Sequence, residues 1–269
     1  MTISSSSAPS SAQIADTLAA CADAARPLTL ERFRTQLIVD NKHATDFDPV
    51  TEADRDAETA IRDVISRAFP AHAIIGEEWD DKQGADSPYC WIIDPIDGTR
   101  AFISGAPVWG TLVGLIENGK AIAGLMEQPF TGERWMATAG TLTYTRNGVA
   151  HRVGTSNIET LSKARTSTTT PDMFKGPHKA GWDAVRARVL QVRYGLDCYA
   201  YCLLASGHID LVVEAELKNV DIAPLIPIIE AAGGVVTTWD GGPAEQGGTC
   251  VAAATPRLHA EALQVLSIR

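Results

Sequence analysis

Asp94 and Asp97 stand three residues apart in Trp91-Ile92-Ile93-Asp94-Pro95-Ile96-Asp97-Gly98-Thr99. The apolar run before them is of the kind a sheet interior takes. Asp94-Pro95 is expected to end it, because proline has no N–H and restricts the residue before it. Both carboxylates then leave one strand end close together, beside the free carbonyls of a turn closed by Gly98. Two like charges at that spacing repel unless cations sit between them. Hard oxygen ligands at that density suit Mg²⁺ or Mn²⁺ rather than zinc. Gly98 lets the backbone approach a ligand, and Thr99 can open a short helix whose free N–H groups favour an anion. Metal and phosphate chemistry is therefore predicted for one short stretch. Asp-Pro and Asp-Gly are also ordinary turn formers, so the neighbouring motifs have to decide.

Those neighbours are Phe47-Asp48-Pro49-Val50-Thr51-Glu52-Ala53-Asp54, Gly76-Glu77-Glu78 and Val220-Asp221-Ile222-Ala223-Pro224. With Asp94-Pro95-Ile96-Asp97-Gly98-Thr99 they resemble, in order and across most of the chain, the inositol monophosphatase superfamily of metal-dependent phosphatases. Arg100-Ala101-Phe102-Ile103-Ser104-Gly105 and Trp109-Gly110-Thr111 resemble its histidinol-phosphatase branch. The resemblance implies two or three Mg²⁺ ions, with Mn²⁺ as a substitute. Glu77, Asp94 and the carbonyl of Ile96 would hold one, and Asp94, Asp97 and Asp221 a second, so that Asp94 bridges.

For catalysis the resemblance implies that Glu77 and Thr99, the latter held by Asp54, orient an attacking water. The Gly98 and Thr99 N–H groups would hold phosphoryl oxygens. Lys42 is a candidate cation for keeping Asp54 ionised. Glu214 and the loop Gly195-Leu196-Asp197 match positions that contact the alcohol portion of the substrate, where two acids suit a cationic leaving group. Arg100 and Arg193 are candidate phosphate or rim contacts. The expected reaction is hydrolysis of L-histidinol phosphate to L-histidinol and phosphate, in histidine biosynthesis. The alternatives are inositol-1-monophosphatase or another sugar-phosphate phosphatase, and a non-catalytic regulatory or binding protein that keeps the fold. A homodimer is implied by the resemblance alone. The spacing Asp-x-x-Asp-Gly-Thr differs from the Asp-x-Asp-x-Thr of phosphatases that phosphorylate an aspartate.

The elements that must position these residues follow from pattern. Ala12 to Ala25 reads as a helix that Pro27 ends or kinks. Thr51 with Asp54 is a capping pair for a helix whose stripe is Ala57, Ile61, Val64 or Ile65, and Ala68. Ala73-Ile74-Ile75 reads as a strand. Strands over Thr111 to Ile116, Ala121 to Glu127, Glu133 to Ala139 and Thr141 to Tyr144, with a tight Asn118-Gly119 turn between the first two and another at Arg146-Asn147-Gly148, predict an antiparallel sheet. Beyond Val153 strands alternate with helices, including one long helix from Ile222 to Ala232 opened by Asp221. The expected organisation is a tail at 1–11, an α+β half at 12–150 carrying the metal and phosphate motifs, and an α/β half at 151–269 closing the site. The resemblance implies that the mixed α/β and α+β halves stack as one αβαβα sandwich.

Composition sets the outer limits. Of 269 residues, 45% are hydrophobic and 21% charged, as in soluble globular proteins. A formal charge of −10 argues against nucleic acid or an anionic membrane as partner. It permits a phosphate monoester, because bound metal ions invert the local field. No run reaches the roughly 18 apolar residues of a spanning helix. Five cysteines without a C-x-x-C suggest reduced thiols and a cytoplasmic setting.

Overall fold

The computed structural model describes residues 8–41, 49–84 and 87–267. Lys42 and Asp48, and the tail up to residue 7, lie outside the described residues. The chain opens with α1 (Ser11–Leu30), the antiparallel pair β1 (Val39–Asn41) and β2 (Pro49–Thr51), and α2 (Glu52–Ala68). Then come β3 (Ala73–Gly76), β4 (Tyr89–Asp97), the short α3 (Thr99–Ile103), β5 (Gly110–Glu117), β6 (Lys120–Gln128), β7 (Glu133–Thr138), β8 (Thr141–Arg146) and β9 (Val149–His151). The remainder is β10 (Arg165–Thr168), α4 (Pro177–Arg186), β11 (Gln191–Tyr194), α5 (Asp197–Ala205), β12 (Leu211–Leu217), α6 (Asn219–Ile222), α7 (Ile226–Ala231), β13 (Val235–Thr237), β14 (Gly248–Ala253) and α8 (Pro256–Leu266).

Strands β3 to β9 form a seven-stranded sheet in chain order. Only the β3–β4 pair within it is parallel; the hairpins that follow are antiparallel, as their turns require. The five-stranded sheet runs β11-β10-β12-β14-β13, parallel around β10 and antiparallel around β14. Helices α1 and α2 cover one face of the large sheet through Leu18 and Ile61 against Trp91 and Ile93. Helices α5 and α7 lie between the sheets, joining Met126 and Trp135 to Val212 and Cys250. Helices α4 and α8 cover the far face of the small sheet through Trp182 and Leu258, which share a cluster with Trp239 from the segment after β13. Helix, sheet, helix, sheet, helix: this is the expected αβαβα sandwich. Among the described residues no helix is long and apolar enough to cross a membrane.

Several local expectations are corrected. Ser10 caps α1 through a reciprocal bond with Gln13, so regular structure begins within the serine-rich tail, and α1 continues past Pro27 to Leu30. The buried stripe of α2 is Ala53, Ala57, Ile61 and Ile65, with Ala68 exposed. Strand β4 does not stop at Pro95. It continues to Asp97 through an irregular register, because the Thr111 hydroxyl donates to the Pro95 carbonyl at 2.8 Å where a ladder bond is lost. The single helix expected from Ile222 to Ala232 is two, interrupted at Ala223-Pro224-Leu225. Pro224 lacks an N–H, and the break lets that segment press onto the large sheet.

The contact has a sequence basis. Gly114 and Gly124 face each other across β5 and β6. A Cβ on Gly124 would lie 1.8 Å from the Pro224 carbonyl oxygen, and one on Gly114 2.9 Å from the Pro224 Cα. Two glycines thus cut a notch in the sheet, and the turn after α6 occupies it. Asp221, on α6, is carried to the end of β4 by this docking.

Candidate active site

Asp94 sits in the bulge of β4, where its side chain accepts the Ile96 N–H at 3.1 Å, a local bond that aims the carboxylate. Asp97 accepts the Cys198 N–H at 2.7 Å, so the start of α5, in the layer between the sheets, fixes it. Asp221 accepts the Lys218 N–H at 2.7 Å as the third residue of α6, a capping position inside the helix rather than the N-cap. One oxygen of each of these three carboxylates lies within 4.8 Å of the others. Glu77 stands outside that triad but lines the same cavity, of about 310 Å³, and accepts from Lys218 Nζ at 2.9 Å.

The electrostatics are those of a site short of positive charge. Burial, then the charges of Glu77, Asp97, Asp221 and Asp54, push the Asp94 carboxyl well above the usual carboxylate range. Burial and the charges of Asp221 and Asp197 do the same to Asp97. Burial raises Asp221 to about 6 against the opposing Lys218 N–H. Among the described residues, the cationic side chains lining the cavity are Arg100 and Lys218, and carboxylates outnumber them. Donors that are oxygens, at least half-buried and mutually repelling fit a hard divalent cation, and no cysteine or histidine competes among the three converging ligands.

Thr99 opens α3 beside them. Its hydroxyl proton can go to the Ile96 carbonyl at 3.0 Å or to Asp54 Oδ1 at 3.3 Å. Asp54 is 1% exposed and takes the Thr51 N–H at 2.8 Å and the Thr51 hydroxyl at 2.6 Å. Burial raises its pKa, the Thr51 bonds oppose, and the Glu77 charge adds to the rise. Gly98 has φ +84°, and a Cβ there would meet the Asp197 Cβ at 3.1 Å, so both backbone and space demand glycine.

The two predicted substrate acids differ. Glu214 is 2% exposed and already accepts the Thr169 N–H at 2.8 Å, the Thr169 hydroxyl at 2.6 Å and the Tyr201 hydroxyl at 2.9 Å. Burial raises its pKa while those bonds lower it. Asp197 opens α5 at φ +46°, and burial raises it to about 6 against Arg100. Both line the cavity, as do Gly98, Thr99, Arg100 and Ile96. Arg193, Gly195 and Leu196 do not. Arg193 is exposed on β11, its carbonyl accepting from Ser167 Oγ; the Gly195 N–H bonds the Thr169 carbonyl; Leu196 packs against the inter-sheet core.

Sequence reasoning missed Lys218, Thr169, Met173, Tyr201 and Glu216, which also line the cavity. Tyr201 lies four residues after Asp197, a helical spacing that places the two on one face and could have flagged it. Lys218 precedes Asp221 by three, the spacing of a capping pair. Nothing in the sequence pointed to Met173.

Comparison with known proteins agrees with this geometry. The model of the inositol monophosphatase family matches residues 11–268. The chain is 36% identical over 264 residues to the histidinol-phosphatase of Streptomyces coelicolor, covering 92% of this chain and 94% of that one. It is 43% identical over 224 residues to the bifunctional phosphatase IMPL2, chloroplastic, of Arabidopsis thaliana. That match covers 82% of this chain but only 63% of the relative's length. The structure of an inositol monophosphatase from Zymomonas mobilis superposes with a TM-score of 0.84 at 35% identity, over 97% of this chain and 100% of the other. The chain belongs to the inositol monophosphatase family of metal-dependent phosphatases, in its histidinol-phosphatase branch.

Proposed function

We propose that this chain is a Mg²⁺-dependent phosphomonoesterase whose substrate is L-histidinol phosphate, acting in histidine biosynthesis as a cytoplasmic homodimer. The observation that carries the chemistry is the oxygen-only triad of buried Asp94 and half-buried Asp97 and Asp221 beside the Thr99–Asp54 pair. The metal ions, when bound, supply the positive charge that polarises water and offsets charge on the phosphoryl group and leaving oxygen. Asp94, Asp97, Asp221, Glu77 and the Ile96 carbonyl would hold two or three of them, Mn²⁺ serving as well as Mg²⁺.

The chain's own groups do the rest. With its own proton turned to Asp54 Oδ1, Thr99 Oγ accepts a hydrogen bond from the attacking water, and the water's proton passes to Thr99 as the Thr99 proton passes to Asp54. Glu77, held from the other side by Lys218, fixes the same water. The Gly98 and Thr99 N–H groups, at a helix start with no intrahelical partner, donate to phosphoryl oxygens, and Arg100 contributes at the rim. Asp197 and Glu214 face the leaving group and favour one that carries positive charge.

The competing substrate class is a neutral polyol phosphate such as inositol phosphate. The likeness to the Zymomonas mobilis enzyme favours it, as does the occupation of Glu214 by Thr169 and Tyr201. The two are separated by kcat/KM for histidinol phosphate against inositol phosphate. Charged hydrogen bonds are worth roughly 1.5–3 kcal/mol, so the wild-type preference should fall about ten- to a hundredfold per acid lost. An Asp197→Ala, Glu214→Ala enzyme with an unchanged ratio would remove the histidinol reading and leave the phosphatase. Absence of Mg²⁺-dependent phosphate release from any monoester would favour a binding or regulatory role instead.

A further inference from the structure

Glu77 leaves β3 in a turn, Gly76-Glu77-Glu78-Trp79-Asp80, whose backbone is partly open to solvent. One fully buried side chain grips that turn from α2. The Glu58 carboxylate accepts the Glu78 N–H at 2.8 Å and the Trp79 N–H at 3.3 Å. Arg62, one turn on, donates from Nε to Glu58 at 2.7 Å and from its two terminal nitrogens to the Trp79 and Asp80 carbonyls, each at 3.1 Å. The Trp79 indole N–H reaches back to the Arg55 carbonyl at 3.3 Å. A Cβ at Gly76 would lie 2.0 Å from Glu58 Oε1, so the strand end is bare to admit the carboxylate.

Water could satisfy the N–H groups of so open a turn, and replacing a buried ion pair by apolar residues is commonly neutral for stability. What Glu58 and Arg62 add is a fixed geometry: they hold two N–H groups and two carbonyls of the three residues that follow Glu77 at once. Glu58 also lies four residues after Asp54, on the same face of α2. That helix therefore holds Thr99 with one acid and the Glu77 turn with the next.

We propose that Glu58, braced by Arg62, is a positioning residue that sets Glu77 for the divalent cation. The inference rests on the reading of Glu77 as a metal ligand. Groups that orient a ligand typically change metal affinity or activity 10–100-fold when lost. Glu58→Gln keeps the shape but weakens the grip on both N–H groups. Titrated with Mn²⁺ in a calorimeter, without substrate, it should bind about tenfold more weakly than wild type. Half-saturating Mg²⁺ in the phosphatase assay should rise in step, while KM for the phosphate ester at saturating Mg²⁺ stays within about twofold. Arg62→Lys, which loses the fork joining Glu58 to both carbonyls, should shift affinity the same way by less. It carries the test if Glu58→Gln does not fold. Asp210→Asn removes an equally buried carboxylate from the other sheet and should leave Mn²⁺ affinity unchanged. Wild-type Mn²⁺ affinity in Glu58→Gln or, where that variant does not fold, in Arg62→Lys overturns the positioning role. So does an equal loss in Asp210→Asn, which would mean general loosening. A wild type that binds no Mn²⁺ overturns the ligand reading of Glu77 and this inference with it.

Discussion

Asp94 and Asp210 are both carboxylates taken out of water, one on β4 of the large sheet and one immediately before β12 of the small sheet, and they end in opposite states. Asp210, with no exposure, accepts from Arg165 Nε and Nη2 at 2.8 and 2.7 Å, from the Arg165 N–H at 2.8 Å and from Ser156 Oγ at 2.5 Å. Burial alone would raise its pKa, but the Arg165 and Ser156 bonds bring it below the usual range. Asp94 has one local N–H donor and faces other acids, and its pKa is driven up. A buried carboxylate supplied with its own cation is finished structure. One surrounded by its own kind awaits a cation from solution, and the cost of that arrangement is borne by the fold elsewhere.

The largest test of this contrast is Asp94→Asn. Activity should fall to background, beyond the 10–100-fold typical of groups that only orient a ligand. Thermal stability in chelator should hold or rise, because repulsion is relieved. Retention of more than about a tenth of wild-type activity would refute the shared-ligand assignment. Thr99→Ala extends the contrast to the reacting water: kcat should drop about 10²–10⁴-fold at unchanged stability. A change confined to KM would reduce Thr99 to a phosphate contact.

Asp210→Asn should behave in reverse. It leaves Arg165 without its partner and should cost about 3 kcal/mol, near the low end for a broken buried pair. Arg165 keeps 34% of its side chain exposed, which softens the loss. Phosphatase kcat/KM, measured below the unfolding range, should stay within about twofold. A stable but inactive Asp210→Asn would erase the distinction between the two regions.

The smallest effect is in pH dependence, and the two regions give opposite signs. Asp221 and Asp197 are raised to about 6, above their unfolded values, so the metal-free folded state binds more protons than the unfolded one. Stability in chelator should therefore fall as pH rises from about 4 to above 6. Asp210 is depressed, so its contribution is present above its unfolded pKa near 3.9 and is lost as pH falls through its lower folded pKa. Denaturant titrations in EDTA at several pH values measure both limbs. Asp94→Asn should flatten the upper limb, and Asp210→Asn the acid one.

Much of this site was legible because its pieces are local. The bulge residues Asp94 to Gly98, the Thr51–Asp54 cap and the Asn-Gly hairpins each follow from a few adjacent residues. What escaped is long-range. The Gly114–Gly124 notch and the Pro224 turn that fills it lie a hundred residues apart in sequence and mean nothing until β5 and β6 pair. The same docking explains why one expected helix is broken and why Asp221 arrives inside α6. Helical periodicity could not choose between Val64 and Ile65, because only packing against α1 and the sheet selects the buried one. Arg193 was a rim candidate from its neighbours in sequence, and the exposed edge strand carries it off the cavity.

The most direct test of the whole account is phosphate release by the wild-type protein from histidinol phosphate and from inositol phosphate, each in Mg²⁺ and in EDTA. Hydrolysis should require Mg²⁺ and should favour histidinol phosphate. Equal release in EDTA, or none from either ester in Mg²⁺, would contradict a metal site built from Asp94, Asp97 and Asp221.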